Sequence, residues 1–383
     1  AASDVYKRQV LAIAIVAILV GAGIGAYLLM DKGSAAPAKI DALLSIYGNA
    51  DNDYKIDKED VSVVEKIISG ELSATEHALA DANCDGVVDD KDIEQINDMI
   101  DKKQGITVYV HDDSGADIGI EYPLKHIVPV RTNLISTIIQ IGGAETIAGY
   151  TKTNYGVAHG PVVKNAKDLG GSIFDLKTDE SLKAFRDLDI SIDGGIDAVL
   201  SQNSVSYLKS AASYIENAEI KILRFDTAEG MSSIGGALTI GYILGEETEK
   251  QSIKYSQISY QFLEEIKEKL KSVKDEDIKK SFSVTMGKYI ARIDSDYTGL
   301  TALAGSPTVS TLEGDGSTEI KDGDEYYKGW DADYIVSYRT LDYSIDYTDI
   351  STGNTMTPSD TWKAYMEWFD DCLLYTSPSP RDR

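Results

Sequence analysis

One acidic twelve-residue segment occurs twice near the start of this chain and limits what the region can form. Residues 81–92 read DANCDGVVDDKD, and residues 49–60, 32 positions earlier, read NADNDYKIDKED. In both copies, oxygen-bearing side chains occupy positions 1, 3, 5, 9 and 12, and an apolar helical pattern follows. The repeated unit is therefore a short acidic loop joined to one helix.

The spacing of these oxygens matches the needs of calcium. Calcium takes six to eight oxygen ligands at about 2.3–2.6 Å, and a tight loop supplies them from positions 1, 3, 5, 7, 9 and 12. Position 7 contributes a backbone carbonyl, so its side chain is unrestricted. Without a cation the carboxylates would repel one another, although an acidic linker could mimic the pattern. We predict calcium as the cofactor, held by Asn49, Asp51, Asp53, Lys55, Asp57 and Asp60 and by Asp81, Asn83, Asp85, Val87, Asp89 and Asp92.

Residues 40–104 resemble a type I dockerin module, in which each calcium loop precedes a single helix and the twelfth position is Asp. The resemblance implies a small all-α module and a cohesin-like partner that binds across the duplicated helices. The second loop follows the family pattern throughout. The first has Tyr54 where the second has Gly86, so we expect a weaker or distorted first site.

An apolar run near the start of the chain predicts a membrane anchor. Residues 10–30 comprise 21 residues without a charge, enough for one helix to span a bilayer. The run is longer than in most secretory signals, which favours an uncleaved single-pass anchor over a cleaved signal. Residues 31–39 then form a linker. The bulk of the chain is expected to be extracellular or periplasmic.

Both ends of the chain resemble translated sequencing-library adapters. The segments SDVYKRQ (3–9) and CLLYTS (372–377) correspond to opposite strands of one transposon end. We therefore interpret residues 1–9 and 372–383 as library-preparation scars and exclude them from the fold prediction.

From Gly105 onward, strand and helix patterns alternate. Residues 106–120 predict a hairpin with DDSG at its turn, and the apolar segments 126–130 and 220–226 predict buried strands. Residues 190–197 predict the end of a strand followed by a helix. Such alternation indicates parallel βαβ units.

The order of these segments resembles the iron-siderophore and cobalamin class of ABC-transporter substrate-binding proteins. The matching pieces are DDSG, HIV, IIQIGG, TIAGYT and GGALTIGYILGEE. The resemblance implies an α/β two-lobed substrate-binding protein with a connecting long helix, preceded by the all-α calcium-loop module and the N-terminal transmembrane helix. The N-terminal lobe would span 105–248, the connecting helix 249–275 and a C-terminal lobe, expected to be truncated, 276–371.

Charge and motifs restrict the function further. The formal net charge of −26 disfavours nucleic-acid binding, which needs clustered basic residues. The chain contains no G-x-S-x-G or H-E-x-x-H sequence and no phosphate-binding glycine loop. We therefore predict a non-enzyme that delivers an iron chelate or corrinoid to an ABC permease. The alternatives are a dockerin-bearing cell-surface enzyme acting on glycans and a non-catalytic structural surface protein.

Ligands of such sheets bind at the carboxyl ends of the strands. Arg131 could meet an anionic group of the ligand or could instead cap a surface helix. The residues predicted to contact the ligand are Arg131, Thr132, Tyr155, His159, Met286 and Tyr289.

Overall fold

A computed structural model describes most of the chain between residues 39 and 338. The described residues are 39–150, 163, 165–169, 179–202, 212–225, 232–285, 289–314, 317–319, 330–338, 347–348 and 355–356. The predicted anchor at residues 10–30 and the predicted scars lie outside them. No helix within the described ranges is long and apolar enough to cross a membrane. The chain divides into two compact units, the first spanning 35–260 and the second beginning at 261.

The first unit begins with the two loop–helix repeats, which we call the acidic-loop module (residues 40–104). Helix α1 covers Lys58–Ile68 and helix α2 covers Asp90–Ile100, with a short 3₁₀ turn at Ala74–Glu76 between them. In each copy the aspartates at loop positions 9 and 12 form a capping box, so the loop also starts the helix. The repeat seen in the sequence is therefore a structural repeat.

The predicted hairpin follows directly. Strand β1 (Thr107–His111) pairs antiparallel with β2 (Asp117–Glu121). The buried carboxylate of Asp112 closes the turn, because it accepts hydrogen bonds from the backbone N–H groups of Ser114 and Ala116.

A parallel sheet forms the centre of the first unit. Its register links Val128 to Val199 and Leu200 to Leu223, and an isolated parallel bridge joins Ile127 to Ile147. The strands are β3 (Ile127–Pro129), β4 (Gly149–Tyr150), β5 (Lys167–Asp168), β6 (Ala198–Ser201) and β7 (Lys221–Arg224). Strands β3, β6 and β7 form a three-stranded sheet, and the β4–β5 pair extends it beside β3 through the Ile127–Ile147 bridge, which gives the order β5-β4-β3-β6-β7.

Helices cover this sheet. On one face, Val128, Val130 and Val199 pack with Phe185 and Ile215. The sheet residues that alternate with them are also buried, as period-two strands covered on both faces require. The helices of this unit are α3 (Thr132–Gln140), α4 (Asp179–Ser191), α5 (Ala212–Asn217), α6 (Ser232–Ile243) and α7 (Glu246–Leu270), with a 3₁₀ turn at Ala144–Thr146.

The prediction for residues 190–197 is wrong. Helix α4 ends there at Ser191 and strand β6 follows, which is the reverse of the predicted order. Gly194 and Gly195 have φ angles of 87° and 80°, a left-handed conformation that ends a helix and does not start one.

The boundary between the units falls within α7. The second unit contains a four-stranded sheet made of β8 (Ser281–Thr285), β9 (Tyr289–Ala291), β10 (Ser317–Glu319) and β11 (Tyr334–Tyr338). The strand order is β10-β9-β8-β11, and within this sheet only the β8–β11 pair is parallel. Phe282, Val284 and Ile290 form its described core, with Trp330 packed edge-on against Phe282. The segments SFSVTM (281–286) and WDADYIVSY (330–338) each predict a strand, and the structure has a strand within each of them, at Ser281–Thr285 and Tyr334–Tyr338. The elements are a 3₁₀ turn at Asp275–Asp277, β8 (Ser281–Thr285), β9 (Tyr289–Ala291), α8 (Asp296–Leu303), β10 (Ser317–Glu319), β11 (Tyr334–Tyr338), β12 (Tyr347–Thr348) and β13 (Thr355–Met356).

Candidate functional site

The carboxylate at the twelfth position organises each acidic loop. In the first loop, Asp60 accepts hydrogen bonds from the backbone N–H groups of Asp51 at 3.1 Å and Asp57 at 2.7 Å. The equivalent Asp92 accepts from the same two positions of the second loop at 3.2 and 2.8 Å. Each of these carboxylates therefore fastens the start of its loop to the start of its helix.

The fifth position is held the same way in both loops. The backbone N–H of Asp85 donates to Asn83 Oδ1 at 2.8 Å, and Asp85 Oδ1 accepts from the N–H of Val87 at 3.1 Å. Asp53 makes both equivalent bonds in the first loop. The oxygen-bearing side chains of the two copies are thus turned toward the interior of their own loops.

The two loops differ at the sixth position. Gly86 has a left-handed φ of 91°, and its N–H donates to Asp81 Oδ2 at 2.8 Å. Tyr54 does not adopt that conformation. In the first loop, the side-chain amide of Asn49 instead donates to the carbonyls of Leu44 and Asp53, both at 2.8 Å. The departure predicted at Tyr54 is therefore a real difference between the loops.

The twelfth-position carboxylates are buried. Asp60 is 1% exposed and Asp92 is fully buried. Burial raises the pKa of Asp60 to about 7, and the negative charges of Asp51 and Asp53 add to this increase. Burial also raises the pKa of Asp92. A cation in the loop would favour the charged form of both groups.

Two lysine side chains neutralise part of the negative charge of the loops. Lys55 forms an ion pair with Asp57, and Lys91 Nζ lies 3.1 Å from Asp85 Oδ2. Among the residues that the structure describes, no three acidic, histidine or cysteine side chains are grouped as ligands of a metal ion. The loop oxygens are engaged with backbone amides and lysines.

The parallel sheet provides a second candidate site at the carboxyl ends of β3 and β6. The strand order reverses between these two strands, so the chain leaves β3 toward β4 and leaves β6 toward β7. Because parallel crossovers are right-handed, the helices after the two strands lie on opposite faces of the sheet. In doubly wound sheets, the crevice at such a switch point is where ligands bind.

Three polar residues border this crevice. Arg131 occupies the N-cap position of α3, but its side chain makes no capping hydrogen bond, and its Nη1 atom is buried. Asn133, in the first turn of α3, and Ser201, at the end of β6, contribute a buried amide nitrogen and a buried hydroxyl. Neither Asn133 Nδ2 nor Ser201 Oγ has a hydrogen-bond partner in the described structure, and Ser201 is 1% exposed.

The register places Ser201 beside the turn into α3. The backbone N–H of Val130 donates to the carbonyl of Leu200 at 3.0 Å, so the next residues, Arg131 and Ser201, lie at the same end of neighbouring strands. The polar ends of β3 and β6 therefore meet at the crevice.

The other predicted ligand residues are not brought to this crevice by the described structure. Thr132 begins α3, and only its backbone is described. Tyr155, His159 and Met286 lie outside the described residues. Tyr289 begins β9 in the second unit, opposite Thr285 and Glu319.

Sequence reasoning missed Asn133 and Ser201. The available signal was a serine at the end of the apolar segment AVLS, which forms β6. The incorrect placement of a strand end near residue 190 concealed it.

No protein-family model matches the chain, and no curated protein matches it. Several solved structures are similar to part of the chain. A periplasmic binding protein from Veillonella parvula is 15% identical, covering 66% of this chain and 79% of that chain, with a TM-score of 0.48. The iron uptake ABC transporter substrate-binding protein PiuA from Streptococcus pneumoniae is 16% identical, covering 73% and 88%, with a TM-score of 0.49. The petrobactin-binding protein YclQ from Bacillus subtilis is 17% identical, covering 68% and 83%, with a TM-score of 0.46.

Proposed function

We propose that this chain is the membrane-tethered extracellular substrate-binding component of an ABC importer. Its cargo would be an iron chelate or a corrinoid, held at the carboxyl ends of β3 and β6. The observation that carries the proposal is the pair of buried polar groups, Asn133 Nδ2 and Ser201 Oγ, at the switch point of the parallel sheet. The order of the sequence segments that resemble substrate-binding proteins supports it independently.

A ligand at the switch point would offset a cost that the folded chain carries. A buried polar group without a hydrogen bond costs about 1–3 kcal/mol. An oxygen-rich ligand could accept from the Asn133 amide and exchange a hydrogen bond with the Ser201 hydroxyl. The guanidinium of Arg131 would favour an anionic oxygen in the same crevice. These hydrogen bonds and this charge contact are sufficient for a protein that binds its ligand without a chemical step.

The acidic loops form the second part of the proposal. Their donors are carboxylate, amide and backbone oxygens, which suit the hard cation calcium. The buried, mutually repelling carboxylates around Asp60 would be stabilised by a divalent charge. We propose that all twelve positions predicted from the repeat bind calcium, with the seventh position of each loop acting through its carbonyl.

Two macromolecular partners belong to the same proposal. The permease of the importer would receive the cargo, and a cohesin-like protein could bind the outer surface of the acidic-loop module. The apolar segment at residues 10–30 would tether the chain to the membrane.

A calorimetric screen tests the ligand assignment. The chain is titrated with a ferric trihydroxamate, a ferric tricatecholate and cyanocobalamin, in separate experiments. We expect saturable binding of one class, with the ligand recovered unchanged. Absence of binding by all three would contradict the proposal. In that case, release of sugars from a polysaccharide would favour the glycan-directed enzyme, and its absence the structural protein.

A further inference from the structure

The acidic-loop module is joined to the hairpin by backbone pairing. The segment immediately before the first loop lies along β1: the N–H of Tyr47 donates to the carbonyl of Tyr109 at 2.9 Å, and the N–H of His111 donates to the carbonyl of Ser45 at 3.1 Å. Ile46, between them, is fully buried. Residues 45–47 of the module thus pair antiparallel with β1, on the side of that strand opposite to β2.

The first acidic loop is bonded to that same edge segment. The fully buried side chain of Asn49 donates to the carbonyl of Leu44, and the N–H of Leu44 donates to the carbonyl of Asp53 at 2.9 Å. Asn49 and Asp53 are the first and fifth positions of the loop. A change in the shape of the loop is therefore transmitted to the segment that pairs with β1.

A second connection lies at the end of α2. Lys102 Nζ is 2.6 Å from Glu249 Oε2 in α7, and the two side chains are only 19% and 12% exposed. The same ammonium lies 4.4 Å from the ring centroid of Tyr242 in α6. The ring of Tyr242 in turn packs on Tyr122, with the centroids 5.6 Å apart. This cluster joins the module to the α6–α7 junction.

Further hydrogen bonds connect the two parts along the same boundary. The N–H of Ser45 donates to Thr239 Oγ1 at 3.2 Å, and Gln95 Nε2 donates to the carbonyl of Thr107 at 2.7 Å. The negative charge of Asp60, in the first loop, also acts on Tyr242 in α6. Burial raises the pKa of Tyr242, and the charges of Glu249, Tyr122 and Asp60 add to the increase.

We infer that the inner surface of the acidic-loop module has the sheet of its own chain as its partner, so that calcium in the loops stabilises the hairpin and the α6–α7 junction. A ligand that binds only the folded state stabilises everything that unfolds together with its site. Because hydrogen bonds, the buried Ile46 and a largely buried ion pair link the two parts, they unfold as one cooperative body. The inference rests on the proposed calcium binding and extends it from the module to the ligand-binding sheet.

Hydrogen exchange of the whole chain tests this coupling. Exchange is compared in chelator and in millimolar calcium, and peptides are followed from the loops, from residues 107–121 and from residues 234–249. We expect calcium to slow exchange several-fold in all three regions. Slowing confined to residues 49–100 would overturn the coupling while leaving calcium binding intact. No change anywhere would overturn both.

Two variants locate the connection. Lys102→Met removes the ammonium that pairs with Glu249, and Lys250→Met removes an exposed ammonium that pairs with Glu246 on the same helix. We expect the calcium-dependent slowing at residues 234–249 to fall several-fold in Lys102→Met and to remain in Lys250→Met. Equal behaviour of the two variants would overturn the role of Lys102. If Lys102→Met does not fold, Glu249→Gln, which keeps the side-chain shape, replaces it in the same comparison.

Discussion

Asn52 and Cys84 have the same left-handed backbone conformation, with φ angles of 60° and 53°, at the fourth position of the two acidic loops. Their side chains share no chemistry, so the common conformation follows from the loop as a whole. Two residues later the copies diverge, because Gly86 is left-handed and Tyr54 is not. The second loop is therefore the more regular of the two proposed calcium sites.

Removing a ligand charge from the second loop should weaken calcium binding. We expect Asp92→Asn to lower the affinity of that loop on the order of tenfold or more, because calcium affinity depends on the number of charged ligands. Asp90→Asn is the matched control, since Asp90 is exposed and occupies a non-ligand position of the same loop. Calorimetric titration with calcium measures both variants. Equal losses would show that net charge, and not coordination, sets the affinity.

Restoring a glycine at the sixth position should improve the first loop. We expect Tyr54→Gly to raise the calcium affinity of this loop, because glycine adopts the left-handed conformation that Gly86 has in the second copy without steric cost. The same titration, performed in an Asp92→Asn background, isolates the first site. An unchanged or weaker affinity would mean that Asn49 and its bonds to the module, rather than Tyr54, limit the site.

The buried carboxylate of Asp60 should make stability depend on pH in the absence of calcium. Its folded-state pKa of about 7 lies above the ordinary value near 4, so the protonated form is favoured on folding. In chelator, this stabilisation is complete below about pH 4 and is lost as the pH rises through 7. In saturating calcium the loss should disappear, because the cation stabilises the carboxylate.

Denaturant unfolding at several pH values, with and without calcium, measures this effect. Asp60→Asn is the control variant, because it cannot titrate and should remove this contribution to the slope in chelator. A chelator slope that is identical in the wild type and in Asp60→Asn would contradict the assignment to Asp60.

The switch point should be sensitive to loss of one hydroxyl. We expect Ser201→Ala to weaken binding of whichever chelate or corrinoid the wild-type chain binds by about tenfold, the equivalent of one hydrogen bond of about 1–1.5 kcal/mol. Ser62→Ala, on the exposed surface of α1, should have no effect. If the wild type binds a ligand and Ser201→Ala binds it equally well, the ligand does not contact Ser201.

Two glycine substitutions should have opposite effects on stability. A Cβ atom at Gly241 in α6 would lie 2.2 Å from Ser252 Oγ, whereas a Cβ at Gly299 in α8 would meet nothing within 4 Å. We expect Gly241→Ala to destabilise the first unit by about 1–3 kcal/mol through overpacking. Gly299→Ala should stabilise the second unit by up to about 1 kcal/mol through helix propensity. Denaturant unfolding measures each change, and destabilisation by Gly299→Ala would contradict the expected gain in helix propensity.

Local patterns in the amino-acid sequence were sufficient to predict the local structure. The 32-residue repeat fixed both acidic loops, because hydrogen bonds within such a loop join residues only two to nine positions apart. The turn residues and apolar segments likewise predicted the hairpin and strands β3, β7, β8 and β11. The error at residues 190–197 arose where two glycines could be assigned either to the end of a helix or to its start.

The way these parts pack together could be read only from long-range contacts in the folded chain. The strand order, which places the switch point between Arg131 and Ser201, depends on pairings between segments far apart in the chain, and no local pattern encodes them. The same is true of the Lys102–Glu249 ion pair, which makes the acidic-loop module part of the sheet unit. The spacing of residues along the chain specifies a loop or a helix because the contacts within such an element are local. The packing of these elements against one another depends instead on burial and charge pairing summed over the whole unit.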